Sequence, residues 1–505
     1  MILKVMMDGC DGIKRRHKDI DWGMEVGSVK EDSRKVEAGD VFVALKGEYY
    51  DGHQYITQAL GRGAAVVVLE DEEFCGEALP WILVENSRES CGIMEQNMAG
   101  KPSIHMNVIG VTGTNGKTTV THMLTAILEE AGKKVGLIGT NYNRIGGRRL
   151  ETDLTTPGSG KLAELFGQMM EEYVDYAVME VSSHALDQSR VAGIEFDMGI
   201  FTNLSQDHLD YHKTIDEYLN AKAKLFSGLK SKGVKNRKKA AILNYDDHAG
   251  TLLADFCSVP VISYGLGGLC HVKAEDIELS RSGIRYRLVY GGGSGEISLK
   301  LHGRFNVYNS LAAIAAALVE GIDISVIQRA LGEMEPVAGR FRQVADPENK
   351  APFQVFVDYS HTPDSLEKCI STARELCEGK IISVFGAGGH RDAAKRPLMG
   401  ETAARLSDIA IVTSDNPRDE DPAEIINEIL KGMKGHTATA EILTEADRGK
   451  AIHLAISLAR AGDIVLICGK GHEDYQAVGN IKYHFDDDEE ARKAMNSLMD
   501  QRGLE

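Results

Sequence analysis

The residues best equipped for chemistry stand in one run, Gly113-Thr-Asn-Gly-Lys117-Thr118-Thr119. Glycines let successive backbone N–H groups turn inward on phosphate oxygens, and a helix that begins at the end of such a loop adds partial positive charge. Lys117 is placed to reach β- and γ-phosphates, and Thr118 to offer its hydroxyl to Mg2+. Gly113, Thr114, Asn115, Gly116 and Thr119 complete this nucleotide-phosphate loop. The strict form of the motif has glycine five residues ahead of Gly116; Val111 stands there instead, and the nearest glycine is Gly110. The plainer alternative is an ordinary tight turn before a helix.

Four more polar or glycine-rich segments each follow an apolar run. They are Asp358-Tyr-Ser-His361 after Gln354–Val357, Gly386-Ala-Gly-Gly-His-Arg391-Asp392 after Ile381–Phe385, Ser414-Asp-Asn-Pro-Arg418 after Ile409–Thr413, and Gly469-Lys-Gly-His-Glu473 after Ile464–Cys468. Open parallel sheets bind ligands at the carboxyl ends of their strands, so these loops are expected to converge on one site. Glu180 closes the run Tyr176–Val181, and His208 follows Met198–Phe201. Both are expected at strand ends beside the phosphate loop, where an oxygen-rich Mg2+ site suits. Taken alone, each is more often a solvated loop residue. Lys222, inside Tyr218–Phe226, reads by itself as a surface helix lysine, and Asn309 reads equally as an N-cap for a helix through Leu311–Val319.

The elements that must hold these residues are legible from periodicity. Met106–Val111 reads as a strand, and Val120, Met123, Leu124, Ile127 and Leu128 form one helix face after the loop. Gly132 stands where that helix should stop, and Val135–Gly139 reads as the next strand. Short β-rich runs alternate with helical patterns along the chain, which predicts an α/β protein with parallel sheets. Boundaries near Gly100–Ser103 and Pro336–Gly339 divide the 505 residues into 1–104, 105–337 and 338–505.

Composition excludes several classes. Lys+Arg is 57 against Asp+Glu 75, a net charge of −18, which argues against a nucleic-acid binder or a protein held on anionic lipid. The longest apolar run, Leu311–Val319, has nine residues, and a bilayer span needs about 18. The N-terminus turns polar too early for a signal-peptide core. The eight cysteines are scattered with no C-x-x-C pair, as expected of reduced thiols in a cytoplasmic protein.

Taken together the motifs resemble the Mur ligase family. The resemblance runs in order through Asp32-Ser33-Arg34, Gly39–Leu45, Gly113–Thr119, Thr155-Thr156-Pro157, Glu180–His184 with Gln188 and Arg190, and Thr202–Asp210. It continues through Ala221-Lys222, Gly303–Asn309, Gly339-Arg340 and all four strand-end loops of the last piece. It implies three domains: a smaller N-terminal α/β domain for the uridine end of the substrate, a central ATPase-like parallel-sheet domain, and a C-terminal Rossmann-like domain for an incoming amino acid. It implies ATP-dependent amide formation through an acyl phosphate, with UDP-N-acetylmuramoyl-dipeptide as acyl substrate in peptidoglycan precursor synthesis. The expected form is a cytoplasmic monomer with small-molecule partners.

Residue by residue, the resemblance assigns Lys117 and Thr118 to phosphate and Mg2+, and Glu180 and His208 to Mg2+. It makes Asn309, Arg340 and Asp358 ATP contacts; Thr155, Thr156, Ser182, Gln188 and Arg190 contacts to the muramoyl peptide; and Ser33 a uridine-end contact. Lys222 matches the lysine that the family carries as a carbamate, a carboxylate on a long stem able to hold a second Mg2+. Two departures touch none of these roles: His390 stands where aspartate is common, and Ser360 where alanine is.

Asp415-Asn416-Pro417-Arg418 matches the loop of family members that add meso-diaminopimelate. That amino acid ends in a carboxylate and an ammonium where lysine ends in an ammonium alone. The Arg418 guanidinium can pair with the extra carboxylate, and Asp415 and Glu473 can take ammonium groups. Arg391, Asn416 and Gly469 complete the expected amino-acid pocket. The loops argue against a sister ligase that completes the tetrapeptide, against folylpolyglutamate synthetase, and against a nucleotide-driven motor, which leaves the last four loops unexplained.

Overall fold

The computed structural model describes residues 1–47, 50–76, 80–230, 234–280, 282–346, 351–435 and 440–502. Three α/β layers follow one another along the chain, each around its own sheet. The first sheet has five strands in the spatial order Ile13–Arg16, Trp81–Val84, Val66–Leu69, Val41–Val43 and Val29–Lys30, all parallel except the first. Its middle strand, Val66–Leu69, is fully buried valine and leucine, the composition of a strand covered on both faces.

The second sheet has eleven strands, and its position-setting member is Asn107–Thr112. That strand lies between Tyr176–Glu180 and Met198–Phe201, parallel to both. Register pairs Glu180 with Val111 and Phe201 with Thr112, so the segments after these strands flank the loop that starts at Gly113. The helix Lys117–Glu130 follows, and the predicted face from Val120 to Leu128 is wholly buried. It ends as expected: Gly132 takes φ +76°, and Lys133 N–H donates to Leu128 O at 3.0 Å. Against this helix packs Phe305–Val319, buried nearly all round, which accounts for the apolar run as a core helix. The sheet ends in antiparallel hairpins on both sides, Gly283–Tyr290 with Gly293–Leu299 on one and Asn143–Ile145 with Arg148–Leu150 on the other.

The third sheet has six strands, ordered Arg342–Gln343, Gln354–Asp358, Ile464–Cys468, Ile381–Phe385, Ile409–Val412 and Glu441–Thr444. The four strands predicted from apolar runs are adjacent and parallel, so their carboxyl ends lie side by side. All eight cysteines are free thiols. Among the described residues no helix is long and apolar enough to cross a membrane.

Candidate active site

Gly113 and Gly116 take φ +149° and +87°, and both turn tightly against neighbours. A Cβ on Gly116 would stand 2.4 Å from Asn309 Oδ1, so the interior of Phe305–Val319 packs directly on the loop. Asn309 is therefore a mid-helix residue rather than an N-cap: the helix begins six residues before Leu311, at Phe305. Its amide donates to Asn306 Oδ1 at 2.9 Å. The segment after Met198–Phe201 braces the loop from the other side: Asn115 N–H donates to Asn203 Oδ1 at 3.0 Å, and Thr202 Oγ1 donates to Asn115 O at 2.6 Å.

Lys117 folds over its own loop, donating to Gly113 O and Thr114 O, each at 2.9 Å. Burial pushes its ammonium below the ordinary lysine range, against the pull of Glu180. Thr118 Oγ1 donates to Glu180 Oε2 at 3.0 Å, and Arg340 Nη2 donates to Thr118 Oγ1 at 2.9 Å. Glu180 is 1% exposed and also accepts from Thr140 N–H at 2.8 Å and Thr140 Oγ1 at 3.0 Å. Its carboxylate and the Thr118 hydroxyl are hard oxygen donors of the kind Mg2+ selects. Arg340 Nε is buried without a partner among the described residues, a free donor beside these groups.

Lys117, Thr118, Glu180, His208, Asn309, Arg340 and Asp358 all line one cavity of about 680 Å³ between the second and third sheets. Burial lifts the Asp358 carboxyl above its usual range, although Phe341 N–H donates to it at 2.7 Å and Ser360 N–H at 2.8 Å. The Ser360 hydroxyl also bonds to Asp358, so the departure at Ser360 adds a donor to this carboxylate. His208 takes the left-handed conformation at φ +55°. Burial and the nearby His184, Lys117 and Lys222 hold it neutral, at about 4, against the pull of Asp207.

Lys222 is not a surface lysine. It is 1% exposed on the helix Ile215–Ser227, with Nζ 4.1 Å from the centre of the Tyr218 ring. The Tyr218 hydroxyl in turn lies 3.3 Å from Thr114 Oγ1, so Lys222 sits behind the phosphate loop and not on the cavity wall. Burial and Lys117 push its ammonium far below the ordinary range.

The five residues expected to hold the muramoyl peptide form one network. Thr140 Oγ1 and Thr155 Oγ1 lie 3.1 Å apart, Thr156 Oγ1 donates to Glu180 O at 2.9 Å, and Ser182 N–H donates to Thr156 Oγ1 at 3.0 Å. Arg190 clasps Gln188 Oε1 at 2.7 Å and Thr156 O at 2.9 Å. Ser182 also caps the helix Ser183–Asp187. Ser33 lies apart, its hydroxyl donating to Gln58 Oε1 at 2.7 Å, but Glu31 comes within 3.5 Å of Ser159 Oγ.

In the third layer, Asn416 is buried and donates to Glu473 Oε2 at 2.8 Å. A Cβ on Gly469 would stand 2.6 Å from Asp415 Oδ2, so only glycine fits between these loops, and its φ of +121° favours glycine as well. Arg418, at φ +53°, donates to Gly389 O at 2.6 Å. Three of the four loops therefore meet, and Tyr359 from the fourth packs on His472 with rings 5.3 Å apart. Arg391 is the exception, exposed at the rim. Sequence reading passed over Lys470, 0% exposed in the same cluster, and Asp364, which accepts from Asn115 Nδ2 at 3.0 Å and Ser205 Oγ at 2.7 Å. Lys470 lies within a motif already marked; nothing local marks Asp364, whose partners are distant in sequence.

The family model described as Mur ligase middle domain matches residues 111–317, that of the Mur ligase glutamate ligase domain 339–471, and that of the Mur ligase family catalytic domain 25–101. The UDP-N-acetylmuramoyl-L-alanyl-D-glutamate–2,6-diaminopimelate ligase of Geobacillus kaustophilus is 44% identical over 474 residues, covering 93% of this chain and 95% of that protein. The chain belongs to the Mur ligase family. The Clostridium botulinum ligase of the same description is 44% identical over 469 residues, covering 92% and 94%. Among Mur ligases of known structure, one described as a UDP-N-acetylmuramoyl-L-alanyl-D-glutamate–2,6-diaminopimelate ligase aligns with a TM-score of 0.69 at 30% identity, covering 97% of this chain and 98% of its own. A Thermotoga maritima Mur ligase crystallised with ADP shares the fold, with a TM-score of 0.58 at 17% identity over 94% of this chain and 98% of its own.

Proposed function

We propose that this Mur ligase uses ATP to join meso-diaminopimelate to UDP-N-acetylmuramoyl-L-alanyl-D-glutamate in cytoplasmic peptidoglycan precursor synthesis. The observation that carries the reading is the meeting of two sets of groups. A phosphate loop with Glu180 and Arg340 lines the cavity, and the Asp415–Arg418 loop lies at the end of the adjoining sheet. Residues 1–104 hold the uridine end, 105–337 the nucleotide, and 338–505 the amino acid.

The D-glutamate side-chain carboxylate attacks the γ-phosphorus of ATP, ADP leaves, and an acyl phosphate forms. The free amine of the amino acid then attacks the acyl carbon, and phosphate leaves with the electron pair of the C–O bond. Lys117 exchanges its two loop carbonyls for phosphate oxygens, and Asn309 holds Gly116 in the shape that admits them. Arg340 adds positive charge where the transferring group is most negative. Thr118 and Glu180 would hold Mg2+, with neutral His208 beside them; the ion supplies charge neutralisation on the phosphates. Burial makes the Lys222 ammonium easier to deprotonate, and the free amine is a nucleophile for CO2; the C–N bond formed gives a carbamate and releases one proton. The resulting carboxylate then serves as a further oxygen donor. Thr155, Thr156, Ser182, Gln188 and Arg190 orient the peptide carboxylate, Arg418 takes the distal carboxylate of diaminopimelate, and Asp415 and Glu473 take ammonium groups.

The test is ADP release with UDP-N-acetylmuramoyl-dipeptide and either meso-diaminopimelate or L-lysine. The reading expects turnover that needs all substrates and favours diaminopimelate. ADP release independent of the amino acid, or preference for lysine, would overturn it.

A further inference from the structure

Lys470 is 0% exposed within the third layer, and it belongs to no element of regular structure. Its Nζ lies 3.2 Å from Asn416 Oδ1, 3.4 Å from Glu473 Oε2 and 5.4 Å from the centre of the Tyr475 ring. Asn416 Oδ1 also accepts Ala477 N–H at 2.8 Å. Two donors therefore fix this oxygen, and the Asn416 amide must present its N–H to Glu473 Oε2, which it does at 2.8 Å. Glu473 Oε2 is thereby taken by two protein donors, which leaves Oε1 for a cation from outside.

We propose that Lys470 is a positioning residue for amino-acid capture: it fixes the Asn416 amide and keeps the Glu473 carboxylate ionised and aimed, so that Oε1 receives a substrate ammonium. The inference rests on the amino-acid pocket assigned above. Lys470 itself does not meet the substrate in this scheme, because its ammonium is enclosed by Asn416, Glu473 and the Tyr475 ring.

The charges around Glu473 define the sign of the effect. Asp415, from the loop after Ile409–Val412, repels it, and Tyr359 approaches from the loop after Gln354–Asp358 with a neutral phenol. Burial raises the Glu473 carboxyl, Asp415 raises it further, and Lys470 opposes both. Removing the ammonium leaves only the Asn416 N–H bond to oppose burial and Asp415, which both favour protonation. A protonated Glu473 offers no charge to an ammonium, so capture weakens most at low pH and recovers as pH rises.

The experiment measures KM for meso-diaminopimelate and kcat from pH 7 to 9 in wild type, Lys470→Met, Glu473→Gln and the double variant. The ratio of variant to wild-type KM is the readout, since titration of the substrate's own amines cancels in it. Lys470→Met should raise KM several-fold at pH 7, because part of the Glu473 population is then protonated, with kcat changed far less. The ratio should fall as pH rises, and Lys470→Met should add little on top of Glu473→Gln. If Lys470→Met does not fold by circular dichroism, Lys470→Gln, which keeps a donor and removes the charge, carries the same test. A ratio that stays flat with pH, a loss confined to kcat, or additive effects in the double variant would overturn the inference alone. No turnover of wild type with diaminopimelate would overturn the pocket assignment and this inference with it.

Discussion

The proposed phosphate loop and the proposed amino-acid pocket solve the same problem, holding charge away from water, in different ways. In the loop, nearby residues satisfy one another: Lys117 rests on the carbonyls of Gly113 and Thr114, four and three residues away. In the pocket the bonds that bring the loops together join distant segments, Asn416 to Glu473, Arg418 to Gly389 and Gly469 to Asp358. A contiguous motif carries part of its geometry within itself, although Asn203 and Thr202 also brace this one. A convergent pocket depends on four loops arriving together, which makes it the natural place for substrate choice to vary.

The largest effect expected is at the loop. Lys117→Ala should lower kcat by about 100- to 1000-fold, the usual cost of a lost charge-stabilising donor, in single-turnover assays on folded protein. Near-normal turnover would remove the loop from the mechanism. Lys222→Ala should come next, with kcat down about 100-fold and partly restored by added short carboxylates, because the missing carbamate is itself a carboxylate. Rescue by short amines instead would mean that Lys222 acts as an ammonium. Arg418→Ala should cost at least about 30-fold in kcat/KM for diaminopimelate, from about 2–5 kcal/mol per broken charge pair, while lysine suffers far less. Equal losses for both amino acids would assign Arg418 to its bond with Gly389 and not to selection. The smallest effect tests whether the two regions are coupled. Asp364→Ala removes the third-layer carboxylate bound to Asn115 and Ser205, at about 0.5–1.5 kcal/mol, and should raise KM for ATP roughly two- to tenfold. An unchanged KM would show the loop to be independent of the neighbouring layer.

The same contrast decides what could be read from sequence. The loop, its flanking strands and the buried face of Lys117–Glu130 were legible because periodicity and motif are local. The third-layer strands were legible as apolar runs, and their adjacency follows from parallel α/β topology. Lys222 was not legible from its own segment, since alanine and leucine neighbours do not distinguish a buried helix face from an exposed one; only the family resemblance marked it. Asn309 was legible as important but not as a mid-helix residue, because Arg304 and Asn306 hide the helix start. Asp364 was invisible, since its partners lie 249 and 159 residues away.

Arg340 has a setting with a mechanical consequence. It stands on the single stretch of chain that passes from the second sheet to the third. Its neighbour Gly339, at φ +69°, is pressed so close to the Gly471–His472 backbone that a Cβ would lie 2.2 Å from His472 N. The joint is therefore locked to one sheet while its guanidinium reaches into the other, 2.9 Å from Thr118 Oγ1. Any displacement of the third sheet away from the second would therefore carry Arg340 off Thr118, so the seating of one sheet and the reach of this guanidinium into the other are a single geometric condition.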